Sequence, residues 1–112
     1  MKKVEAIIRT SKFEAVHTAL SQVGIPFMYS MEVKGFGKEH SISQTYRGAP
    51  YDVGFIPRTK LEVVVTEDQL DEVVDCILQV ASTGEIGDGK IFISEIESAY
   101  RIRSREQGAA AL

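Results

Sequence analysis

The chain reads as the same pattern twice, and this limits its possible folds more than any other feature. Val4, Glu5, Ala6, Ile7 and Ile8 align with Leu61, Glu62, Val63, Val64 and Val65 at an offset of 57 residues. The same offset lays Phe13, Val16, Ala19, Leu20 and Val23 on Leu70, Val73, Cys76, Ile77 and Val80. Identity is low, but apolar character is kept at nearly every position. Each half opens with a short β-branched-rich run that suits a buried strand. Each then changes period. Phe13, Val16, Leu20 and Val23 in the first half, and Leu70, Val73, Ile77 and Val80 in the second, fall on one face of a helix.

The helix boundaries are marked as well. Ser11-x-x-Glu14 and Thr66-x-x-Gln69 are capping-box patterns, in which side chains satisfy free N–H groups at a helix start. Gly24 and Pro26 end the first helix, and Ser82-Thr83-Gly84 ends the second. A further strand follows each, roughly Phe27 to Lys34 and Ile91 to Tyr100. The order βαβ–βαβ predicts an α+β, ferredoxin-like sandwich: an antiparallel sheet with both helices on one face. The other face is left open, and a second copy of the chain is the simplest cover, so a homo-oligomer is expected.

Composition excludes several classes. At 112 residues, the chain is expected to form one domain, residues 1–112. Its net charge of −3 gives no basic footprint for nucleic acid. A lone cysteine, Cys76, fits a reducing compartment. No apolar run reaches the ~20 residues needed to span a bilayer. The start, MKKVEAIIRTSK, reads as a first strand and not as a signal peptide. The expected location is cytoplasmic.

Two stretches do not serve the repeat. Gly35 to Gly54 is polar, rich in Gly and Ser, and without sustained period. Segments of this length are functional or disordered more often than structural. One reading is a β-hairpin extension with a disordered tip. The other is a contact surface, for which Phe36, Arg47, Tyr46 and Tyr51 are suitable anchors.

The second stretch runs from Thr83 to Phe92. Gly84 to Lys90 fits G-x-x-x-x-G-K, but Ile91 stands where a P-loop has Ser or Thr, and a strand follows where it has a helix. A Walker NTPase is therefore not expected. The glycines still let backbone N–H groups converge on an anion, with Lys90 as a compact cation. An ordinary Gly-rich turn is the alternative. Arg101 and Arg103, alternating at the expected strand end, would project to one side. They form either a solvated pair or the rest of an anion site, and the glycine loop favours the latter.

Three blocks then carry a family resemblance: Lys34-Gly35-Phe36-Gly37, Tyr46-Arg47-Gly48-Ala49-Pro50-Tyr51, and Thr83-Gly84-Glu85-Ile86-Gly87-Asp88-Gly89-Lys90-Ile91-Phe92, with the ending Arg101-Ile102-Arg103. Over nearly its whole length, the chain resembles the PII nitrogen-regulatory signalling proteins. The resemblance implies a homotrimer with ATP or ADP, and Mg2+, in clefts between subunits. It implies no enzymatic role, but regulation of partners such as an ammonium transporter or a nitrogen-assimilation enzyme. Membrane contact would come through a transporter alone.

By position, Gly87, Asp88, Gly89, Lys90, Arg101 and Arg103 would hold the phosphates. Ile7, Glu62 and Val64 would lie by the adenine and ribose. Gly35, Phe36 and Gly37 would close over the nucleotide, with Lys38 and Thr83 in the same site. A mobile T-loop over about residues 36–55 would contact partners, with Arg47 and Tyr51 as contact or modification residues. The glycine loop spans 82–90 and the C-terminal segment 101–112.

The departures from the family pattern carry their own expectations. Glu39 and Arg58 stand where relatives use Gln and Lys to bind 2-oxoglutarate. Glu39 can still serve as a magnesium ligand, but it adds negative charge beside a dianion and the phosphates, and Arg58 changes the geometry of the cation. Weakened or absent 2-oxoglutarate binding is expected. Phe27 and Tyr29 replace small or hydroxyl residues near the adenine, which alters the expected preference among ATP, ADP and AMP. Pro50 fixes φ beside Tyr51 and works against recognition of that tyrosine by a modifying enzyme. A sensor of another small anion such as bicarbonate, and a slow ATPase of the same fold, are the alternatives. His17, His40 and Cys76 have no metal-ligand spacing.

Overall fold

The structure is a computed structural model and describes residues 1–37, 44–46, 49–51 and 54–112, with backbone alone at 44–46 and 49–51. The first half forms β1 (Lys2–Ile8), α1 (Phe13–Gln22) and β2 (Tyr29–Gly35). Two short strands, β3 (Gln44–Tyr46) and β4 (Ala49–Tyr51), pair antiparallel as a separate two-stranded sheet. The second half forms β5 (Ile56–Val65), α2 (Leu70–Ala81) and β6 (Lys90–Glu95). The main sheet has the order β2-β5-β1-β6, with every neighbouring pair antiparallel. This is the ferredoxin-like arrangement that the double repeat predicts.

Period-two burial sorts the two sheet faces. Val4, Ala6 and Ile8 of β1 and Leu61, Val63 and Val65 of β5 are buried. They pack against Val16 and Leu20 of α1 and Val73, Ile77 and Ala81 of α2. The alternate residues Lys3, Glu5, Ile7, Arg58, Lys60, Glu62 and Val64 lie on the opposite, open face. Tyr29, Met31 and Phe92 are exposed on the same side, as their pairing with Glu62, Lys60 and Glu5 requires.

Local signals explain the element ends. Gly24, at φ +89°, closes α1 in a Schellman turn: Ile25 N–H donates to Leu20 O at 3.0 Å and Gly24 N–H to Ser21 O at 3.1 Å. The capping box at Thr66 is formed, with its N–H donating to Gln69 Oε1 at 3.0 Å. The one expected at Ser11 is not. Ser11 lies inside a 3-10 turn, Thr10–Lys12, and no side-chain cap bond forms at the start of that turn or of α1. The turn is held instead by Thr59 of β5, whose hydroxyl donates to Thr10 Oγ1 at 3.0 Å.

The last strand is also shorter than the expected Ile91 to Tyr100. Ile96 N–H donates to Met1 O, so β6 ends where its partner strand runs out. Arg101 and Arg103 are therefore not at a strand end. They occupy a turn in which Arg101 N–H donates to Glu106 O and Arg105 N–H to Arg101 O.

Candidate functional site

The connection from α2 to β6 is built around one carboxylate. Asp88 accepts from the backbone N–H of Thr83 at 2.8 Å and of Gly84 at 3.0 Å, and also from the Thr83 hydroxyl. Arg9, just past β1, adds Nε at 3.1 Å. The Thr83 hydroxyl bond comes first among the causes that hold the Asp88 carboxyl far below the usual carboxylate range, followed by the Thr83 N–H, Arg9 and the Gly84 N–H. Asp88 thus closes the loop on itself, and its lone pairs are taken by protein donors.

The glycines have distinct reasons to be there. Gly87 and Gly89 lie at φ +102° and +103°, where L side chains are strained. A Cβ on Gly89 would stand 1.7 Å from the Ile7 carbonyl oxygen. The loop therefore lies directly on the end of β1, beside the Ile7–Lys90 pair.

A cleft of about 670 Å³ opens there, bounded by Ile7, Gly35, Phe36, Gly37, Gly87, Asp88, Gly89 and Lys90, with Arg58, Ile56, Glu85 and Phe92. Phe36 is 74% exposed and leans on Phe55, ring centroids 6.2 Å apart. Lys34 stands over the Phe55 ring at 4.8 Å. Arg58 donates from Nε to Gly87 O at 3.2 Å and from Nη1 to Pro57 O at 2.8 Å. Burial, and then the neighbouring Arg9, push its pKa down.

The remaining expected residues form a second cleft, of about 810 Å³. Glu62, Val64, Arg101 and Arg103 border it with Phe27, Tyr29, Tyr100 and Leu112. Phe27 and Tyr29 meet edge to face at 5.3 Å. Arg101 donates from Nη2 to Leu112 O at 2.9 Å. The two clefts lie toward opposite ends of the open sheet face, with Arg58 and Val64 about 20 Å apart along β5 at a strand's rise. One chain therefore gathers the expected residues into two groups. Lys38, Glu39 and Arg47 lie outside the described residues, and Tyr51 is described in backbone alone.

The model of the family described as nitrogen regulatory protein P-II matches residues 1–106. The chain belongs to the P-II family. Three curated P-II relatives match over the full length of both chains. The P-II protein of Pasteurella multocida is 46% identical over 112 residues, Escherichia coli GlnK is 48% identical, and Escherichia coli P-II 1 is 47% identical. All three are named as nitrogen regulatory proteins. Among the described residues of this P-II protein, no helix is long and apolar enough to cross a membrane.

Reading the sequence missed Arg9. An arginine directly after an apolar strand looks like a solvated strand end. Its partners, Asp88 and Ile86, are 79 and 77 residues away, and no local pattern marks them.

Proposed function

We propose that this P-II protein senses adenine nucleotides, ATP or ADP, and relays the bound state to nitrogen-metabolism targets through its T-loop, residues 36–55. The observation that carries the reading is the Gly87–Lys90 turn. Glycines at positive φ at 84, 87 and 89, followed by Lys90, give a turn whose backbone N–H groups and lysine suit an anion. The cleft at its mouth has apolar walls in Ile7, Ile56 and Phe92 for a base or sugar.

The two half-sites support a ring assembly in which neighbouring copies complete each other's clefts. A second copy that covers the open sheet face sets the glycine-loop end of one chain against the Arg101 and Arg103 end of the next. Three copies close the ring. Each cleft then holds one nucleotide between Lys90 of one subunit and the arginines of its neighbour. Mg2+ accompanies the triphosphate as a counter-ion, and Asp88 is not its ligand because protein donors already occupy that carboxylate. Ammonium transporters and nitrogen-assimilation enzymes are the target classes, and the role is regulatory and not catalytic.

A second reading, a sensor of AMP, ADP, bicarbonate or another anion without a 2-oxoglutarate response, is favoured by Arg58. Its guanidinium spends two of its five donors, Nη1 on Pro57 O and Nε on Gly87 O, on holding the chain's own backbone. Calorimetry with ATP, ADP and AMP, each with and without 2-oxoglutarate and bicarbonate, tests both readings. Saturable ATP and ADP heats are expected, with no micromolar 2-oxoglutarate binding in Mg-ATP. The absence of any nucleotide heat would sink the first reading, and micromolar 2-oxoglutarate affinity would sink the second. Light scattering is expected to give the mass of three chains.

A further inference from the structure

Arg9 is the residue that the nucleotide site leaves unexplained. Its side chain is 26% exposed, and its donors are directed at the glycine loop. Nε donates to Asp88 Oδ1 at 3.1 Å, and Nη2 donates to Ile86 O at 3.0 Å. Arg58 takes the next peptide, with Nε on Gly87 O at 3.2 Å and Nη1 on Pro57 O of its own strand at 2.8 Å. Three consecutive loop residues are thus held by two guanidiniums, one just past the end of β1 and one from β5. We infer that Arg9 and Arg58 are positioning residues, a two-arginine strap that fixes the peptide planes of the phosphate loop before any ligand arrives.

The physical basis is the peptide itself. A planar trans peptide carries its N–H opposite its C=O. Holding the Ile86 and Gly87 carbonyls therefore fixes the directions of the Gly87 and Asp88 N–H groups. A loop with glycines at 84, 87 and 89 has much backbone freedom to lose, and donors fixed in advance lose less of it on binding.

Arginine suits this role because its donors form a rigid fork that can bond two acceptors at once, whereas a lysine is a point charge on a flexible stem. Packing gives a second line of support. A Cβ on Gly87 would stand 2.8 Å from Arg58 Nη2 and 3.4 Å from Arg9 Nη2, so the strap occupies the space a side chain would need. Two like charges brought this close, with Asp88 as the carboxylate between them, need such geometry to offset their repulsion.

The inference rests on the proposed reading of the loop as a phosphate site, and its test separates the two. The full chain is compared with Arg9→Lys, Arg9→Gln and Arg58→Lys. Without nucleotide, backbone order parameters of the Gly87 to Gly89 amides are expected near the rigid value of about 0.85 in the parent. They are expected below about 0.6 in all three variants, with α2 amides unchanged. ATP affinity is expected to fall by at least about tenfold in each.

Arg9→Lys separates geometry from charge, since it keeps the charge and loses the fork. If Arg9→Lys keeps rigid loop amides and binds ATP within about twofold of the parent, the strap is overturned. Should the Arg9 variants fail to fold, as judged by circular dichroism, Arg58→Lys carries the same two measurements and the same criterion. If the parent binds neither ATP nor ADP, the nucleotide reading fails, while the order parameters still decide whether the arginines hold the loop.

Discussion

Gly84 and Gly89 both sit at positive φ, +85° and +103°, but they are not equivalent. A Cβ on Gly84 would meet nothing within 4 Å, so alanine there adds backbone strain alone, about 1–2 kcal/mol. On Gly89 it would collide with the backbone of Ile7 in the central strand β1. Strain and overpacking against main chain together predict about 3–5 kcal/mol for Gly89→Ala. Urea midpoints of the two variants are expected in that order, and a reversed order would mean that the loop does not rest on β1.

Asp88 adds a pH signature. Its folded pKa is depressed, so its stabilisation is complete above the ordinary carboxylate value of about 4 and is lost as pH falls from there toward the folded value. The stability gap between the parent and Asp88→Asn should be constant near neutrality and shrink in acid, as measured by thermal melts across pH. The glycines, Asp88 and Lys90 are legible in the sequence because they are neighbours. Arg9 is not, because its role exists only once β1 and the loop lie side by side.

At the scale of the element, two similar sequence signals have different outcomes. Thr66-x-x-Gln69 becomes a capping box, while Ser11 falls in the middle of a 3-10 turn and Glu14 in the first turn of α1. Thr66→Ala is therefore expected to cost about 1 kcal/mol, and Ser11→Ala close to nothing. Equal losses in chemical denaturation would contradict the assignment. The difference was not readable locally, since the α1 entry is fixed by Thr10 meeting Thr59, 49 residues away. The same holds for β6. Its apolar run invites extension to Tyr100, but the strand lasts only as long as β1 offers partners, and Met1 is the last of them. The strands and helices themselves were legible because their burial periods, 2 and then 3.6, are stated twice in one chain. Their ends were less so, because pairing partners and not propensity decide them.

At the scale of the whole molecule, the repeat leaves a mark on the open face. Glu5 and Glu62 are repeat equivalents, and the register of β1 on β5 places them directly opposite each other. The pseudo-twofold axis that relates the two halves therefore passes between two carboxylates. They are tolerated because Lys3 reaches Glu5 at 2.9 Å and Lys60 reaches Glu62 at 3.2 Å and Glu5 at 4.0 Å. The hydrogen bond from Lys3 is the first cause of the lowered pKa of Glu5. Around this neutral set stand Tyr29, Met31 and Phe92, all about half exposed or more.

In a lone chain these side chains are 24–31% exposed, so solvent still screens the pairs and their contribution is small. If a second copy covers the face, as proposed, every member must already be paired, because an uncompensated charge buried at an interface is strongly unfavourable. Lys60→Met removes the cation that Glu62 relies on and leaves the two carboxylates facing each other. The chain should fold with a nearly unchanged melting temperature when dilute, yet assemble at least about tenfold more weakly. Sedimentation over a concentration series reads that difference. A variant that assembles as tightly as its parent would show that this sheet face is not the one the subunits share.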